Sequence, residues 1–539
     1  MIHLTIDGES IAVEPGTTIL EAARRLNVHI PTLCYHEDQA VKAVCRICVV
    51  EVEGQRLLPA ACSTPVSEGM VVKTASPKVI KARKNIMELI LARHPQDCLV
   101  CSKNGSCELQ KIARDLNMNQ PNRYELKPRD SRFDNSSPSL IRDMSKCILC
   151  NRCVETCTEK QGVMVMAKEN RGFETVIVPP YGKKLEDTSC VNCGQCIQVC
   201  PVGAISVRDN TDNVYEQIAA GKYMAIQIAP SVRITLGESL GYAPGTVTTG
   251  KIVHALRKIG FHKVFDSDFS ADLTIMEEGT ELLHRIQNGG PLPLITSCCP
   301  AWVKYCETYG HEQLEHLSTA KSPQQMFGAV IKTYFAQKEQ IDPANICSVS
   351  VMPCTAKKFE CKRSEFHDSG YQDVDISITV EELAKMIRTA GIDFDDLEDQ
   401  EFDAPFGLGS GAGQIFGSTG GVMEAALRTV YEVLTGETLP RLEFDAVRGL
   451  EGIREASLTI KGQEIRVAIV HGLKNVEEIL AQIKEGTSPY HFIEVMACEG
   501  GCIGGGGNAP KTMKKVRERQ RAIYEEDKKL PLRKSHENP

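Results

Sequence analysis

The 539-residue sequence lacks the features that direct a chain into membranes, out of the cell or onto nucleic acid. No apolar run approaches the roughly 20 residues that span a bilayer. The N-terminal segment has neither a basic nor an apolar signal region. Because 62 Lys and Arg residues are outnumbered by 70 Asp and Glu residues, the net charge of −8 gives no reason to expect nucleic acid as a partner. We therefore expect a cytoplasmic protein that neither enters a membrane nor binds nucleic acid.

A nucleotide-binding fingerprint is also missing. The segment Gly245-x4-Gly250-Lys251 begins like a P-loop, but Ile252 stands where Ser or Thr must reach Mg²⁺. The composition, with 42% hydrophobic and 24% charged residues, is that of a folded protein rather than a disordered one. A chain of this length predicts several domains.

Cysteine, by contrast, is abundant, with 23 residues in a chain that has no visible export signal. Disulfides are rare in reducing compartments, so this many thiols indicate metal ligands. Fifteen of them precede residue 201, none lies between 201 and 297, and eight follow from Cys298 onward. The sequence thus predicts two differently organised regions.

The first group of thiols lies among short strand-like segments with Gly turns (HLTIDG, IAVEPG and CVVEVEG). A Cys-x2-Cys pair with two distant partners suits zinc or iron, and the long, unequal gaps resemble those of plant-type [2Fe–2S] ferredoxins. We expect a β-grasp [2Fe–2S] module over residues 1–78, with zinc as the alternative metal. Its ligands are Cys34, Cys45, Cys48 and Cys62.

The second group places a histidine one helical turn before three cysteines, at the end of the periodic run VIKARKNIMELILARH. A lone His is usually an ordinary surface or core residue, but this position makes it a plausible fourth ligand. We interpret residues 79–125 as a module with one [4Fe–4S] cluster. Its ligands are His94, Cys98, Cys101 and Cys107.

The third group consists of two Cys-x2-Cys-x2-Cys-x3-Cys runs, the pattern of bacterial two-cluster ferredoxins, in which the fourth Cys of each run ligates the other cluster. Residues 138–209 therefore predict a module with two [4Fe–4S] clusters. One has the ligands Cys147, Cys150, Cys153 and Cys200, and the other has Cys157, Cys190, Cys193 and Cys196.

Residues 210–510 change character, since apolar runs alternate with helical patterns as in an α/β domain with largely parallel sheets. Three runs end in cysteine, at Cys298 and Cys299, at Cys354, and at Cys498 and Cys502. Each could be a buried structural thiol. Because the carboxyl ends of parallel strands face the ligand crevice, three such ends favour a metal site.

These segments carry a family resemblance. TSCCPAWVKY (296–305), MPCTAKKFE (352–360) and MACEGGCIGGGG (496–507) resemble the three signature segments of [FeFe]-hydrogenases, of the clostridial type with four accessory clusters. The resemblance implies a multidomain α+β and α/β protein that ends in an H-cluster domain. It implies that the [4Fe–4S] part of the H-cluster is held by Cys299, Cys354, Cys498 and Cys502. Cys502 would also bridge to a two-iron subcluster with CO, cyanide and azadithiolate ligands.

The resemblance also implies a proton path. Glu278, Glu281 and Arg285 share one helical face, which periodicity alone would assign to solvated charge. By resemblance, protons pass from the thiol of Cys298 through Glu278, Ser318 and Glu281 to Arg285, and Lys357 donates to a cyanide ligand. The positions that resemble those around the subcluster are Pro230, Ser231, Gln324, Met352, Phe416 and Met496. The Met side chains there could equally fill the core.

We therefore expect an oxidoreductase that catalyses 2H⁺ + 2e⁻ ⇌ H₂, is loaded by H-cluster maturases, and exchanges electrons with ferredoxin. An alternative is the catalytic subunit of a complex with a flavin- or NAD(P)-binding subunit, or a formate-linked complex. A hydrogen sensor or an electron-transfer relative is a third reading, which the retained Cys298 disfavours. Glu499 and Asn508 differ from the residues usual in the family, and residues 511–539 are expected to be a shortened, basic small-subunit-like segment.

Overall fold

The computed structural model describes residues 1–118, 123–124, 126, 132–460 and 462–538. The expected module 79–125 and the expected C-terminal segment 511–539 therefore each include residues outside the described ranges. Within those ranges, no helix is long and apolar enough to cross a membrane.

The first module is a four-stranded sheet with one helix. Its elements are β1 (Ile2–Ile6), β2 (Glu9–Val13), α1 (Ile19–Arg25), β3 (Glu51–Val52) and β4 (Met70–Lys73). The strand order is β2-β1-β4-β3, and β1 is antiparallel to β2 but parallel to β4. A parallel pair needs a crossover, which α1 supplies, as in a β-grasp fold. Thr18 and Glu21 form a capping box at the start of α1.

Two helices follow, α2 (Pro77–Leu91) and α3 (Glu108–Asp115). The side chain of Ser76 accepts a hydrogen bond from the Val79 N–H, and Pro77 occupies the first helical position. Both residue types are favoured at a helix start, so they explain why α2 begins here. The loop between the helices carries the second cysteine group.

The third module contains two small sheets and two short helices. Its elements are β5 (Phe133–Asp134), β6 (Leu140–Asp143), α4 (Arg152–Glu155), β7 (Ala167–Glu169), β8 (Val176–Val178), α5 (Gln195–Val199) and β9 (Ile205–Val207). Leu149 and Asn151 have φ near +60°, and Asn192 and Gly194 have the same conformation in the second cysteine run. The two runs therefore form the same loop twice, each leading into a short helix.

The catalytic region contains two four-stranded sheets. One has the order β11-β10-β13-β14 and is parallel throughout, and the other has the order β12-β17-β16-β15 and is parallel except for the β15–β16 hairpin. The strands are β10 (Tyr223–Ile228), β11 (Lys263–Asp266), β12 (Leu294–Ile295), β13 (Ile346–Met352), β14 (Ile376–Thr379), β15 (Ile453–Ile460), β16 (Gln463–His471) and β17 (Phe492–Met496).

Helices cover both sheets. They are α6 (Thr211–Ala219), α7 (Val232–Ser239), α8 (Thr249–Ile259), α9 (Asp268–Asn288), α10 (Pro300–Tyr309), α11 (Pro323–Val330), α12 (Ala336–Lys338), α13 (Ala356–Glu360), α14 (Val380–Thr389), α15 (Gly411–Ile415), α16 (Gly421–Thr435), α17 (Val476–Lys484) and α18 (Met513–Lys529). Every residue of β13 is buried, as expected for a parallel strand covered on both faces.

The C-terminal helix α18 is anchored by buried ion pairs. Arg428 on α16 pairs with Asp527, and both side chains are fully buried. Arg519 pairs with Glu238 on α7 and donates to the carbonyl of Ile503 (2.7 Å). The helix therefore covers the loop that carries Cys502.

Candidate active site and cysteine groups

The cysteines of the catalytic region meet because three strands end close together. Cys299 follows β12, Cys354 follows β13, and Cys498 and Cys502 follow β17. The Ala497 N–H donates to the Sγ of Cys299 (3.5 Å). Burial and the neighbouring thiols of Cys498, Cys299 and Cys502 raise the pKa of Cys354 well above its ordinary value. The four thiols therefore surround one buried site.

The glycine run 504–507 makes this arrangement possible. A Cβ on Gly505 would lie 2.2 Å from the carbonyl oxygen of Pro353, and a Cβ on Gly506 would lie 2.5 Å from that of Cys193. Only glycine permits such close approach. The loop bearing Cys502 thus packs directly against the loops bearing Cys354 and Cys193.

A cavity of about 640 Å³, counting space that is open to solvent, lies beside the thiols. Its walls are almost entirely apolar, as suits a buried ligand site with few polar groups. The walls include Cys298, Cys299, Cys354, Cys502 and Lys357, and also Pro230, Ser231, Gln324, Met352, Phe416 and Met496. Cys498 lies behind this wall, where its Sγ accepts a hydrogen bond from Gln195 Nε2 (3.1 Å).

The cavity fits a metal cluster with polar ligands. Its thiols are soft donors suited to iron–sulfur chemistry. The Ser231 hydroxyl is buried and has no hydrogen-bond partner among the residues that the structure describes. A buried polar group is normally satisfied, so a ligand in the cavity is the natural partner.

Lys357 is the charged residue of the cavity wall. Its Nζ donates to the Cys298 carbonyl (3.1 Å) and to both carboxylate oxygens of Glu360 (3.0 Å each). Burial opposes its charge, but Glu360 reverses this effect and raises the pKa of Lys357. Glu360 also accepts from Gln324 (2.8 Å). Sequence reasoning missed Glu360, although its position three residues after Lys357 on α13 was a signal for an ion pair.

Polar side chains lead from Cys298 towards the surface. Burial raises the pKa of Glu278 to about 7, against the effect of hydrogen bonds from the Ser297 N–H and Ser318. The Ser318 hydroxyl donates to Glu281 (3.0 Å), which also accepts from Arg285 (2.6 Å). Burial and then Glu278 raise the pKa of Cys298. The five residues predicted as a path therefore form a series of neighbours, in which hydrogen bonds join Ser318, Glu281 and Arg285 and Glu278 acts on Cys298 electrostatically.

This series ends at open space. Glu281 lines a surface cleft together with Glu277, His284 and Thr319. Glu278 is fully buried, whereas the Glu281 side chain is 17% exposed. The series therefore runs from the cavity wall to solvent.

In the first cysteine group the thiols form two hydrogen-bonded pairs. A hydrogen bond from the Cys45 thiol lowers the pKa of Cys34 to about 5, and one from the Cys62 thiol lowers the pKa of Cys48 to about 7. Two pairs suit the two irons of a [2Fe–2S] cluster, each held by two thiolates. Among the described residues, no three His, Cys, Asp or Glu side chains converge on a single metal ion.

The second group lies at the surface. Burial and the thiols of Cys101 and Cys98 raise the pKa of Cys107, so the three cysteines lie together. Cys98 is exposed. His94 follows the end of α2, where its N–H donates to the Leu91 carbonyl (3.2 Å).

The third group forms two sites. A cavity of about 390 Å³ is lined by the four thiols predicted to hold the first cluster, Cys147, Cys150, Cys153 and Cys200. At the second site, burial and the thiols of Cys190 and Cys157 raise the pKa of Cys196, and burial and Cys196 raise that of Cys193. The fourth Cys of each run therefore lies with the other run.

Two apolar clusters connect the groups. One contains Leu33, Met87 and Val202, with Cys45, Cys107, Cys147 and Cys200 packed against it. The other contains Cys153 and Cys196, with Cys299 and Cys354 packed against it. Gln195, which sequence reasoning also missed, joins the third module to Cys498. The cysteine groups thus follow one another in space from the N-terminal module to the cavity.

Comparisons with known proteins agree with this architecture. Residues 222–506 match the family "Iron only hydrogenase large subunit, C-terminal domain". Further matches are a 2Fe-2S iron-sulfur cluster binding domain (1–77), the NADH-ubiquinone oxidoreductase-G iron-sulfur binding region (83–122), a 4Fe-4S dicluster domain (146–204) and the iron hydrogenase small subunit (513–539). The chain therefore belongs to the [FeFe]-hydrogenases.

Individual relatives cover nearly the whole chain. It is 49% identical to the NADP-reducing hydrogenase subunit HndD of Solidesulfovibrio fructosivorans, over 100% of this chain and 94% of that protein. It is 42% identical to iron hydrogenase 1 of Clostridium pasteurianum, over 100% and 95%. A solved structure of [FeFe]-hydrogenase HydA1 from Chlamydomonas reinhardtii has 39% identity and a TM-score of 0.56, and covers 62% of this chain and 92% of that one. The protein is thus a hydrogenase, with iron–sulfur modules preceding its catalytic domain.

Proposed function

We propose that the cavity of the catalytic region holds the H-cluster. Cys299, Cys354, Cys498 and Cys502 would ligate its [4Fe–4S] part, and Cys502 would bridge to the two-iron part with its CO, cyanide and azadithiolate ligands. One observation carries this proposal: the six predicted contact residues, Lys357 and three of the four thiols line the same cavity. When bound, the H-cluster supplies the metal centre at which protons and electrons combine to H₂.

The protein's own residues would then move the protons. The thiol of Cys298 lies in the cavity wall, where it can exchange a proton with a basic group inside. Glu278, with a pKa raised to about 7 by burial, can both take up and release a proton near neutral pH. Ser318 and Glu281 continue the path to the cleft, and Arg285 holds Glu281 in place.

Lys357 would have a binding role. Its ammonium can donate a hydrogen bond to a cyanide ligand, while Glu360 fixes the side chain and balances its charge. Ser231 offers a second donor in the same wall. These groups would orient the two-iron part.

We also propose the finer organisation of the relay. Residues 1–78 would bind one [2Fe–2S] cluster, residues 79–125 one [4Fe–4S] cluster with His94 as a ligand, and residues 138–209 two [4Fe–4S] clusters. Residues 210–510 would be the catalytic domain and 511–539 the small-subunit-like segment. The complete protein would hold about 20 iron atoms, and about 18 when made without the maturases that supply the two-iron part.

The electron partner is the least constrained part of the function. Ferredoxin suits a hydrogenase with its own relay. The similarity to an NADP-reducing hydrogenase subunit supports the second candidate, a complex with a flavin- or NAD(P)-binding subunit. Co-purification from the native host separates the two, because only the complex brings a nucleotide-binding chain. The many thiols support a reducing, cytoplasmic location.

Cys298→Ala tests the catalytic assignment. The variant should keep every cluster, because the four proposed ligands remain, but lose H₂ turnover by orders of magnitude. The measurement is H₂ evolution together with the infrared CO and cyanide bands. Cys306→Ala is the matched control, because Cys306 is a buried thiol outside the cavity, donating to the Gly310 carbonyl (3.4 Å). Near wild-type turnover with intact bands in Cys298→Ala would refute the proton-carrier role.

A further inference from the structure

Arg142 on β6 is a buried cation in the third module. Its side chain lines the same cavity as Cys147, Cys150, Cys153 and Cys200. Only 3% of the residue is exposed. Nη2 donates to the Ile177 carbonyl (2.5 Å) and contacts the Met144 sulfur (3.3 Å), whereas Nε has no hydrogen-bond partner in the described part of the chain.

Among the residues that the structure describes, no carboxylate forms an ion pair with this guanidinium within 4 Å. Burial lowers the pKa of Arg142, and the groups that act against this are led by the thiol of Cys153 and by Asp134, followed by Cys196 and Cys147. An arginine side chain stays charged in proteins. A buried charge without a close partner is destabilising, so negative charge in the cavity would stabilise this guanidinium in addition to the effect of Asp134.

Arg152 provides a contrast within the same module. It is also 3% exposed, and Cys150 and Cys200 act on it electrostatically. Its guanidinium, however, binds both oxygens of Glu108, at 2.7 and 2.9 Å. Two buried arginines therefore lie near one cysteine group. Arg152 forms an ion pair with a carboxylate, whereas Arg142 forms none among the described residues.

We propose that Arg142 tunes the cluster held by Cys147, Cys150, Cys153 and Cys200, making it the more readily reduced cluster of this module. The inference rests on the proposed ligand set. Reduction adds one electron, and thus one negative charge, to a cluster that is already anionic. A nearby unpaired cation in a low-dielectric cavity stabilises the reduced form and raises the potential. The electron comes from the neighbouring relay cluster and leaves to the next one, and Arg142 exchanges nothing.

The test is a redox titration of the intact, fully loaded enzyme, followed by electron paramagnetic resonance. Arg142→Met removes the charge and keeps most of the volume, so one [4Fe–4S] signal should titrate at lower potential. Arg142→Lys keeps the charge and should restore the wild-type potential. Glu108→Gln leaves Arg152 without its partner and should shift the same signal to higher potential. Arg208→Met is the control, because Arg208 is a half-buried cation of this module whose Nε donates to the Ser137 carbonyl (2.9 Å), outside the cavity.

Unchanged potentials in Arg142→Met, with full iron content, would overturn the proposal. If that variant fails to assemble its clusters, Arg142→Lys and Glu108→Gln decide. A wild-type potential in Arg142→Lys with a raised one in Glu108→Gln supports the role of charge, and no shift in Glu108→Gln contradicts it. Cys150→Ser separates the two levels of the argument, since it should alter the signal that Arg142→Met shifts. If it alters a different signal, the charge acts on the other cluster of the module, since Arg142 also opposes the rise in the pKa of Cys190 and of Cys196, and the assignment to the first cluster is wrong.

Discussion

The two sides of the catalytic cavity are built differently. On the side of the relay, contact with the cysteine site includes close backbone packing at Gly506, hydrogen bonds from Gln195 and Gln198, and an ion pair to Glu499, and Gln195 donates to the Cys498 sulfur. On the opposite side, the polar series from Cys298 to Glu281 depends on several successive contacts. If this series carries the protons, as proposed, each member is necessary, because a proton moves only between groups within hydrogen-bond reach. Electrons need only clusters close to one another. Substitutions on the proton side should therefore stop turnover, and those on the relay side should shift potentials.

Glu278→Gln should give the largest effect. An amide of the same shape cannot take up and release the proton, so H₂ turnover should fall by roughly 10²–10⁴-fold while cluster content stays complete. The measurement is H₂ evolution with a chemical reductant, with the infrared bands as the assembly check. Glu277→Gln, on the exposed face of the same helix, is the control and should keep its activity. If Glu278→Gln kept the same high turnover as Glu277→Gln, protons would have to take another route.

Glu281→Gln should slow turnover less than Glu278→Gln does and should also change the pH profile. Burial is the main reason that the pKa of Glu278 is about 7, and the nearby Glu281 raises it further. Glu278 therefore holds its proton below about pH 7 and loses it above. Without the second carboxylate this transition should move to lower pH. The infrared band of the protonated carboxyl group, followed against pH, measures it directly. A transition that moves to higher pH would contradict the assigned interaction.

Gln195→Leu should have a smaller effect, on the relay side. It removes the hydrogen bond to the Cys498 sulfur, and such bonds stabilise the reduced state of a cluster. The catalytic cluster should be reduced at lower potential, and turnover should fall only several-fold. Infrared spectroelectrochemistry gives the potential. Gln198→Leu is the matched control on the same helix, because its amide bonds to the carbonyls of Gly506 and Asn508 but to no thiol. Equal shifts in the two variants would assign the effect to loop packing.

His94→Cys should have the smallest effect on turnover. A charged thiolate would replace a neutral ligand, so one accessory [4Fe–4S] cluster should be reduced at lower potential, with the other accessory clusters unchanged. Redox titration with spectroscopy is the measurement. Unchanged potentials for every accessory cluster would exclude His94 as a ligand.

The same contrast explains what could be predicted from the sequence. The relay ligands lie in short segments, so their spacing alone indicated the groups. Helical periodicity placed Glu278, Glu281 and Arg285 on one face of α9, but their chemistry was implied only by the family resemblance. The mostly apolar segment VFDSDFSADLTIM (264–276) contains the last three residues of β11 and the start of α9, where Asp268 pairs with Arg233 (3.0 Å).

Long-range partners were not predictable in this way. Gln195 reaches Cys498 across 303 residues, and the Lys160–Glu499 ion pair (2.9 Å) joins the third module to the residue after that thiol. Neither contact leaves a periodic or spacing signal in the sequence. Glu499 differs from the residue usual in the family, and only the fold explains this difference. Its carboxylate pairs with Lys160, a basic residue from another module.

The position of α18 imposes an order on biosynthesis. A ribosome adds roughly 5–20 residues per second, so the loop with Cys502 is made a few seconds before the helix that covers it. Arg519 can contact the Ile503 carbonyl, and Asp527 can pair with Arg428, only after residues 519 and 527 have been added. The nascent catalytic domain thus presents the thiol of Cys502 before the helix that covers it exists.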